Sequence, residues 1–358
     1  MQLPFGFGKS KSIVGLDIGS SSVKAVELAV KPKGIDLLHM GVAKLPPEAI
    51  VQGAFLNSSA ITEAIREAVD NAGIRSKSVA TAVSGHSVIV KKISLPTMTR
   101  EELEESIRWE AEQYIPFDIN EVNLDFQILA GGDSEGQMDV LLVAAKKDLI
   151  DDYIHVITDA GLQPVVLDVA AFAVENAFGA NYNLPANEVV ALVNVGSQTV
   201  NINILSKGAP AFTRDISTGG NAYTEEIQKA LSVSWEEAER IKIGGGSREE
   251  SQDVVPQEVE QAIRGVTDTV IGEISRSLDF FAATAAESRI SRVLVAGGGS
   301  RVSGFEAAFQ GKTNLPVSRL NPLERMIPNS RLDANMLEEW GPTLAVAVGL
   351  AMRRTDAR

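Results

Sequence analysis

The sequence predicts an α/β protein with two lobes, and three observations support this prediction. Strand-like and helix-like patterns alternate along the chain, as they do in α/β folds. The chain has 358 residues, 44% of them hydrophobic, which is enough for two packed cores. A strand–turn–strand signature occurs twice at a single offset, in residues 13–24 and 190–201. We therefore expect each copy to lie at the start of one lobe.

In the first half, apolar residues at alternating positions predict strands, and apolar residues at helical spacing predict helices. The first hairpin continues to about Leu28, and further strands are expected at 35–42, 79–83, 88–95, 122–129, 138–145 and 165–167. Helices are expected to begin at Ser59, at the capping box of Thr99 and Glu102, and at Asp148, and to end near Gly73, Tyr114 and Gly161.

In the second half, the same criteria predict a hairpin at 188–205 and strands at 209–216 and 292–296. Helices are expected at about 220–232, 234–243 and 256–286. The glycine-rich loop 244–247 lacks the Lys-Ser/Thr ending of a P-loop, so we interpret it as the turn that ends the second helix. The small apolar residues of 341–352 predict a last helix packed against the core.

Domain boundaries follow from these elements. The first lobe is predicted to cover 1–188, with a core of 1–88 and 166–188 and an inserted α/β subdomain at 89–165. The second lobe is predicted to cover 189–340. The final segment, 341–358, is expected to return to the core as a C-terminal helix.

Composition excludes several classes of site and partner. There is no cysteine, hence no disulfide or thiolate metal site, and the three histidines are too widely separated to suggest a metal site. A net charge of −14 disfavours nucleic acid and anionic lipid as bulk partners. No apolar run approaches the ~20 residues of a membrane span. Residues 1–12 lack the apolar region of a signal peptide, so we expect a loose tail, with a membrane or partner contact as the alternative.

The twin hairpins carry the main functional signal. The offset aligns Asp17 with Asn194, Gly19 with Gly196, and Ser20 with Ser197. Glycine lets the backbone approach a ligand closely, while serine hydroxyls and successive turn N–H groups can face an anion. Two such turns can hold the phosphates of one nucleotide from both sides. A single copy would also fit an ordinary hairpin with polar turn residues.

Other candidate residues lie near these turns in the predicted fold. Asp17 can hold Mg²⁺ through water, and Lys24 lies across the hairpin, within reach of a terminal phosphate. The glycine-rich turn 297–300 follows a buried strand and would let a flat ring approach the backbone. Glu239 and Lys242 share one helix face and either form a solvated ion pair or bind ribose hydroxyls.

In this order, the segments resemble those of the actin-like ATPase superfamily over almost the whole chain. Within it, the chain is similar to the PilM family of type IV pilus assembly proteins, in the branch that includes the division protein FtsA. The segments that match are 16–24, 193–197, 295–300, Asp168 with the small residues after it, Gly349, and the insert with its segment 114–117. The resemblance implies a two-lobed actin-like ATPase fold, made of duplicated ribonuclease-H-like domains with an FtsA/PilM-type inserted subdomain.

The resemblance also implies a function. It suggests an ATP- and Mg²⁺-binding cytoplasmic adaptor, held at the inner membrane by a protein partner. That partner would be PilN, which would bind through its short N-terminal tail, and other pilus inner-membrane and motor components would also be partners. The resemblance leaves open whether the chain forms homo-oligomers. Asp168 would orient an attacking water, or else cap a helix. The expected nucleotide-binding residues are Asp17, Gly19, Ser20, Ser21, Ser22, Lys24, Asn194, Gly196, Ser197, Glu239, Lys242, Gly297, Gly298, Gly299 and Ser300.

One position departs from the family pattern. The second phosphate motif usually starts with an aspartate that helps to hold hydrated Mg²⁺, and here it starts with Asn194. An amide accepts a hydrogen bond but carries no charge. We therefore expect nucleotide binding with at most slow ATP hydrolysis.

Two alternative functions stay open at this stage. A sugar-kinase-like phosphotransferase would need a carboxylate base, for which Asp168 is the candidate. An FtsA-like filament-forming division protein would be expected to end in an amphipathic membrane helix. Residues 353–358 are charged and not amphipathic, which disfavours the second alternative.

Overall fold

The computed structural model describes residues 13–32, 34–129, 136–185, 187–244, 257–285 and 289–353. The expectations for the tail 1–12, the loops 131–136 and 244–247 and the end 353–358 lie wholly or partly outside these residues.

The first half of the chain alternates strands and helices as predicted. Its strands are β1 (Val14–Ile18), β2 (Ser22–Lys31), β3 (Gly34–Lys44), β4 (Ile50–Val51), β5 (Ala54–Phe55), β6 (Ser78–Val83), β7 (Val88–Pro96), β8 (Val122–Ile128), β9 (Gln137–Lys146) and β10 (Gln163–Val169). Its helices are α1 (Ser58–Asn71), α2 (Arg100–Ala111), α3 (Lys147–Asp159) and α4 (Ala170–Asn181).

The second half repeats this alternation. Its strands are β11 (Val190–Val195), β12 (Val200–Ser206), β13 (Ala209–Ile216), β14 (Arg292–Ala296), β15 (Val317–Arg319) and β16 (Met326–Pro328). Its helices are α5 (Gly220–Leu231), α6 (Trp235–Lys242), α7 (Gln257–Thr284), α8 (Phe305–Thr313), α9 (Ala334–Trp340) and α10 (Ala345–Ala351). No helix within the described ranges has both the length and the apolar character that a bilayer crossing requires.

The repeat in the sequence is also a repeat in the structure. The first large sheet has the strand order β10-β6-β1-β2-β3-β16, and the second has the order β13-β12-β11-β14-β15. In each sheet an antiparallel hairpin, β1–β2 or β11–β12, has a parallel strand beside its first member. The two hairpin signatures therefore start two equivalent sheets, as the sequence predicts.

Each large sheet carries its own helices, and two further helices lie between the sheets. Apolar residues of α1 and α3 pack on the first sheet, and those of α7 and α8 pack on the second. A shared core joins Ala80 and Leu192, one from each sheet, to Val174 of α4 and Val346 of α10. The predicted two-lobed α/β fold is confirmed.

A third sheet, with the order β7-β9-β8, forms a separate layer with α2. The predicted capping box starts this helix: Thr99 Oγ1 accepts from the Glu102 N–H at 3.2 Å, and the Glu102 carboxylate accepts from the Thr99 N–H at 2.8 Å. The predicted insert 89–165 also includes α3, yet α3 buries Val156 and Ile157 in the core of the first sheet. We propose the shorter boundary 88–146 for the insert.

Several element boundaries differ from the predictions. α1 begins at Ser58 rather than Ser59, because Asn57 is the N-cap and accepts from the Ala60 N–H at 3.0 Å. α3 begins before Asp148, and α2 ends before Tyr114. The sequence analysis also missed β4, β5, β15, β16, α8 and α9. The strands among these have only two or three residues, too few to show an alternating pattern. β16 pairs with β3, so the chain returns to the first sheet before residue 340.

The two helices between the sheets, α4 and α10, cross at very close range. A Cβ atom on Gly349 of α10 would lie 1.7 Å from the carbonyl oxygen of Ala173 in α4. On another side of α10, a Cβ on Gly15 of β1 would lie 1.9 Å from the carbonyl oxygen of Ala347. Only glycine allows these backbones to approach so closely, so α4, α10 and β1 pack as one unit.

We predict that Gly349→Ala lowers the free energy of unfolding by about 3 kcal/mol or more, because a methyl group there would overlap the backbone of α4. Gly179→Ala is the matched control, since a Cβ on this glycine of α4 meets nothing within 4 Å. The control should raise stability by about 0.5–1 kcal/mol. Denaturant unfolding measures both values. Equal effects of the two substitutions would contradict the close crossing.

Candidate nucleotide site

The turns of the two hairpins have the same local geometry. In the first, the Gly19 N–H donates to the Ser22 carbonyl at 3.1 Å; in the second, the Gly196 N–H donates to the Thr199 carbonyl at 2.9 Å. A Cβ on either glycine would lie about 3 Å from the same carbonyl oxygen, at 3.2 Å and 2.9 Å respectively. Each turn is therefore tight. Because glycine has no side chain, one side of the turn backbone is left uncovered.

The fold brings these two turns into contact. The hydroxyl oxygens of Ser20 and Ser197 lie 2.6 Å apart, although the residues are 177 positions apart in the chain. Next to Ser197, the Gln198 side chain donates to the Ile50 carbonyl at 2.8 Å and accepts from the Gln52 N–H at 2.9 Å. The predicted juxtaposition of the turns across the two lobes is present.

The second turn also meets the start of α5. The Gly220 N–H donates to the Gly196 carbonyl at 2.8 Å, and the Asn221 N–H donates to the Ser197 carbonyl at 2.7 Å. A Cβ on Gly219 would lie 2.5 Å from the Gly196 carbonyl oxygen, so this position needs a glycine. The Gly220 and Asn221 bonds occupy the first two N–H groups of α5, so the helix would favour an anion beside the second turn through the partial positive charge of its N-terminus and not by donating these N–H groups.

Asp17 and Lys24 lie opposite each other on β1 and β2 and form an ion pair of 3.1 Å. Their side chains are only 17% and 11% exposed. The ammonium lies 3.7 Å from the point that a Cβ on Gly19 would occupy, which places it at the turn. A carboxylate and an ammonium side by side at this turn fit a magnesium-bound phosphate. Within the described ranges, no group of three or more acidic or histidine side chains could hold a metal ion. The expected role of Asp17, which is to hold Mg²⁺ through water, stays a prediction.

The equivalent positions of the second hairpin carry two amides. The repeat offset places Asn194 on Asp17 and Asn201 on Lys24, and the two asparagines are register partners. The Asn194 Nδ2 donates to the Asn201 Oδ1 at 3.0 Å. The second hairpin thus keeps a side-chain contact between these positions but loses both charges.

A carboxylate that the sequence analysis missed continues this row of side chains. Asp215 lies opposite Asn201 on β13, and its Oδ1 accepts from the Asn201 Nδ2 at 2.8 Å. Its Oδ2 accepts from the N–H of Gly85, in the first lobe, at 2.5 Å. Burial raises the pKa of Asp215, while these two hydrogen bonds act in the opposite direction. Only the strand pairing brings these residues together, so no local motif could have identified them.

The glycine-rich turn after β14 lies against the end of β11. Gly297 has φ +83°, and a Cβ there would lie 2.4 Å from the Val195 carbonyl oxygen. Ser300 is 2% exposed and donates to the Gly297 carbonyl at 2.8 Å, so its hydroxyl stabilises the turn. Gly299 is also buried, whereas Gly298 is exposed. Gly298 is therefore the member of this turn that a flat ring can reach.

Glu239 and Lys242 form an ion pair of 2.6 Å that is attached to α5. Lys242 also donates to the Thr224 hydroxyl at 3.0 Å and to the Gly220 carbonyl at 3.2 Å. The Thr224 hydroxyl donates to Glu239 at 2.6 Å. The sequence analysis kept a solvated ion pair as an alternative; the ion pair is present, but the Lys242 side chain is only 10% exposed, and the pair is held against the start of α5. The contact with ribose stays a prediction.

Asp168, at the end of β10, pairs with Arg353 through two hydrogen bonds of 2.6 and 2.7 Å. Its side chain is only 4% exposed. The N-cap of α4 is Val169, without a side-chain cap, so the alternative of a helix cap is not seen. Because Arg353 engages both carboxylate oxygens, this geometry does not support Asp168 as a base or as a residue that orients water.

A second acidic group lies close to this ion pair. Glu175 of α4 accepts from the Asn203 Nδ2 at 2.9 Å. Burial raises the pKa of Glu175 to about 7; Asp168 adds to the rise, while Asn203 and Arg353 oppose it. The carboxyl group therefore takes up a proton on folding at mildly acidic pH.

Comparison with known proteins identifies the family. A family model described as type IV pilus assembly protein PilM matches residues 15–355. A chain in the solved structure of a PilM–PilN type IV pilus biogenesis complex is 31% identical, with a TM-score of 0.85. The similarity covers 96% of this chain and 98% of that one.

More distant matches are found both by sequence and by structure. The cell division protein FtsA of Bacillus subtilis is 23% identical over 64% of this chain, and that of Escherichia coli K12 is 25% identical over 66%. The chain spans only 57% and 61% of the lengths of these relatives. The ethanolamine utilization protein EutJ of Carboxydothermus hydrogenoformans superposes with a TM-score of 0.57 at 18% identity, over 97% of this chain and 91% of that one.

We predict that Glu175 makes stability depend on pH. Since folding raises the pKa of this group from 4.5 to about 7, its contribution is fully present below pH 4.5 and is lost as pH rises through 7. The contribution is roughly 3 kcal/mol. Glu175→Gln should remove this part of the pH dependence. Denaturant unfolding at pH 5 and pH 8 measures it, and parallel pH profiles for the two proteins would refute the prediction.

Proposed function

Since the chain belongs to the PilM family of type IV pilus assembly proteins, we propose that it is a nucleotide-dependent adaptor of the pilus machinery. In this proposal ATP binds between the two lobes. The first lobe binds the short cytoplasmic tail of a PilN-type membrane protein and thereby holds the adaptor at the inner membrane. The observation that carries the nucleotide part is the contact between the two hairpin turns, at Ser20 and Ser197.

The phosphates would lie at the two turns, where three kinds of group favour an anion. These are the turn N–H groups and hydroxyls, the Lys24 ammonium and the N-terminus of α5. Asp17 would hold hydrated Mg²⁺ beside the first turn, and the base would rest on Gly298. The Ser20–Ser197 hydrogen bond occupies the path between the turns, so nucleotide entry would replace it by bonds to phosphate.

Asn194 supports slow hydrolysis in this proposal. The first hairpin brings a carboxylate to the metal, whereas the second brings a neutral amide, so one of the two negative charges that the family pattern provides is missing. With both Asp168 oxygens held by Arg353, the one candidate base that the sequence analysis named for a sugar-kinase-like phosphotransferase is already engaged. Nucleotide binding as a signal therefore fits the site better than rapid turnover.

The docking surface for the tail would combine the insert with the neighbouring part of the first lobe. The related chain of known structure was solved in a PilM–PilN complex. In this chain, a cavity of about 150 Å³ lies between α3 and β10, where α3 follows directly from the last strand of the insert. Apolar side chains such as Ile154, Ile157 and Val165 line it, and Ile154 is 43% exposed. β10 is the outer strand of its sheet, an arrangement that can accept an extended peptide.

We predict that Asp17→Ala weakens Mg²⁺-ATP binding by about tenfold or more, because it removes the charged group beside the metal. In EDTA the same change should leave ATP affinity equal or higher, since it also frees Lys24. Asp36→Ala is the matched control, because Asp36 pairs with Lys31 in the same sheet. Calorimetry with and without Mg²⁺ measures these affinities. Unchanged Mg²⁺-ATP affinity in Asp17→Ala would remove the central part of the proposal.

We predict that a synthetic N-terminal tail of the PilN-type partner protects the insert, α3 and β10 from hydrogen exchange in the full chain. Ile154→Glu should weaken tail binding about tenfold or more, because it places a charge beside the apolar cavity. Ile243→Glu is the control, since Ile243 is 69% exposed in the second lobe. Protection confined to residues 220–290 would show that the proposed surface is wrong, even if the tail binds.

A further inference from the structure

We propose that Asp215 is a positioning residue of the nucleotide site, which acts through Asn201 to fix the orientation of the Asn194 amide. The inference rests on the proposed nucleotide function and adds to it a role for two residues that no sequence motif identifies. The observation that carries it is the row Asp215–Asn201–Asn194, in which each side chain hydrogen-bonds to the next across three adjacent strands.

The direction of each hydrogen bond follows from the carboxylate at the end of the row. Both oxygens of Asp215 accept hydrogen bonds, one from the Gly85 N–H and the other from the NH₂ group of Asn201. The carbonyl oxygen of Asn201 then points to Asn194, which must in turn present its own NH₂ group. The Asn194 oxygen then takes no part in the bonds of the row.

The position of this oxygen is close to the proposed base-binding turn. The Asn194 Oδ1 lies 2.7 Å from the point that a Cβ on Gly297 would occupy. It is therefore at the carboxyl end of β11, between the second phosphate turn and the glycine-rich turn. An amide oxygen held there can accept a hydrogen bond from a metal-bound water, whereas an inverted amide would present hydrogens to that water and repel it.

The row also explains how the chain tolerates an amide at position 194. The negative charge that is absent from position 194 is present two strands away, at Asp215. In this setting an aspartate at 194 would create a conflict, because two carboxylates would then compete for the single NH₂ group of Asn201. The row is thus built for asparagine at 194, and Asn194→Asp alone should not act as a gain of function.

The second oxygen of Asp215 extends the row to the other lobe. It accepts from the Gly85 N–H, in the segment between β6 and the first strand of the insert. The residues of this bond are 130 positions apart in the chain. The orientation of the Asn194 amide is therefore coupled to the apposition of the two lobes and to the base of the insert.

The test is a double-mutant cycle with Asn194→Asp, Asp215→Asn and the double variant, which moves the carboxylate from one end of the row to the other. Calorimetry gives the ATP affinity of all four proteins with Mg²⁺ and with EDTA. We expect each single variant to bind Mg²⁺-ATP about tenfold more weakly, and the double variant to recover to within about threefold of the parent, as directly coupled sites do. In EDTA, Asp215→Asn should agree with the parent to within about threefold. Asn194→Asp and the double variant should both bind ATP more weakly there, because a carboxylate at 194 repels phosphate when no metal is bound.

Additive losses in the double variant would overturn the inference, and so would stronger Mg²⁺-ATP binding by Asn194→Asp alone. If the parent chain binds no ATP, the proposed function fails instead. The same cycle measured by denaturant unfolding still decides the inference in that case, because the conflict over the Asn201 NH₂ group is present without ligand. Non-additive loss and recovery of stability supports the row, and additive changes refute it.

Discussion

The close crossing of α4 and α10 is the constraint on which the rest of the molecule depends. α4 leads from the first sheet to the second, and α10 follows the second sheet in the chain and packs back on β1. A side chain at Gly349 would push these helices apart, because the Ala173 carbonyl lies where its Cβ would be. Their separation sets the distance between the sheets, and hence whether the two hairpin turns can meet. The contact between the Ser20 and Ser197 hydroxyl groups thus depends on the absence of a side chain at Gly349.

The duplicated hairpins have kept their backbone and diverged in charge. Both copies have a glycine in a tight turn and a serine that faces the other lobe. The first copy places an acid and a lysine opposite each other, and the second places two asparagines at the same positions. This asymmetry leaves the anion-binding backbone groups in place on both sides while only one side contributes charge. Under the proposed function, a site of this kind fits nucleotide retention better than fast turnover, and retention is what the proposed adaptor would require.

Sequence reasoning succeeded where the signal is local. The hairpins, the capping box of Thr99 and Glu102 and the glycine-rich turn after β14 are each written in a few consecutive residues, and the structure contains them. It failed for side chains whose hydrogen-bond partners lie far away in the chain. Asp215 has meaning only opposite Asn201, and Arg353 only beside Asp168, 185 positions away. A serine after glycines also gives no indication of where its hydroxyl points: Ser300 bonds inside its own turn, and its contact with a nucleotide stays a prediction.

Hydrogen exchange at the two turns, followed with and without Mg²⁺-ATP, tests the central claim most directly. A nucleotide held between the lobes should slow exchange in residues 19–22 and in residues 196–199 together, with the same dependence on nucleotide concentration. The control segment is the exposed turn near Gly208, far along β12 from the site, which should not change. Protection of one turn without the other, or of neither at saturating nucleotide, would contradict a site formed by both hairpins.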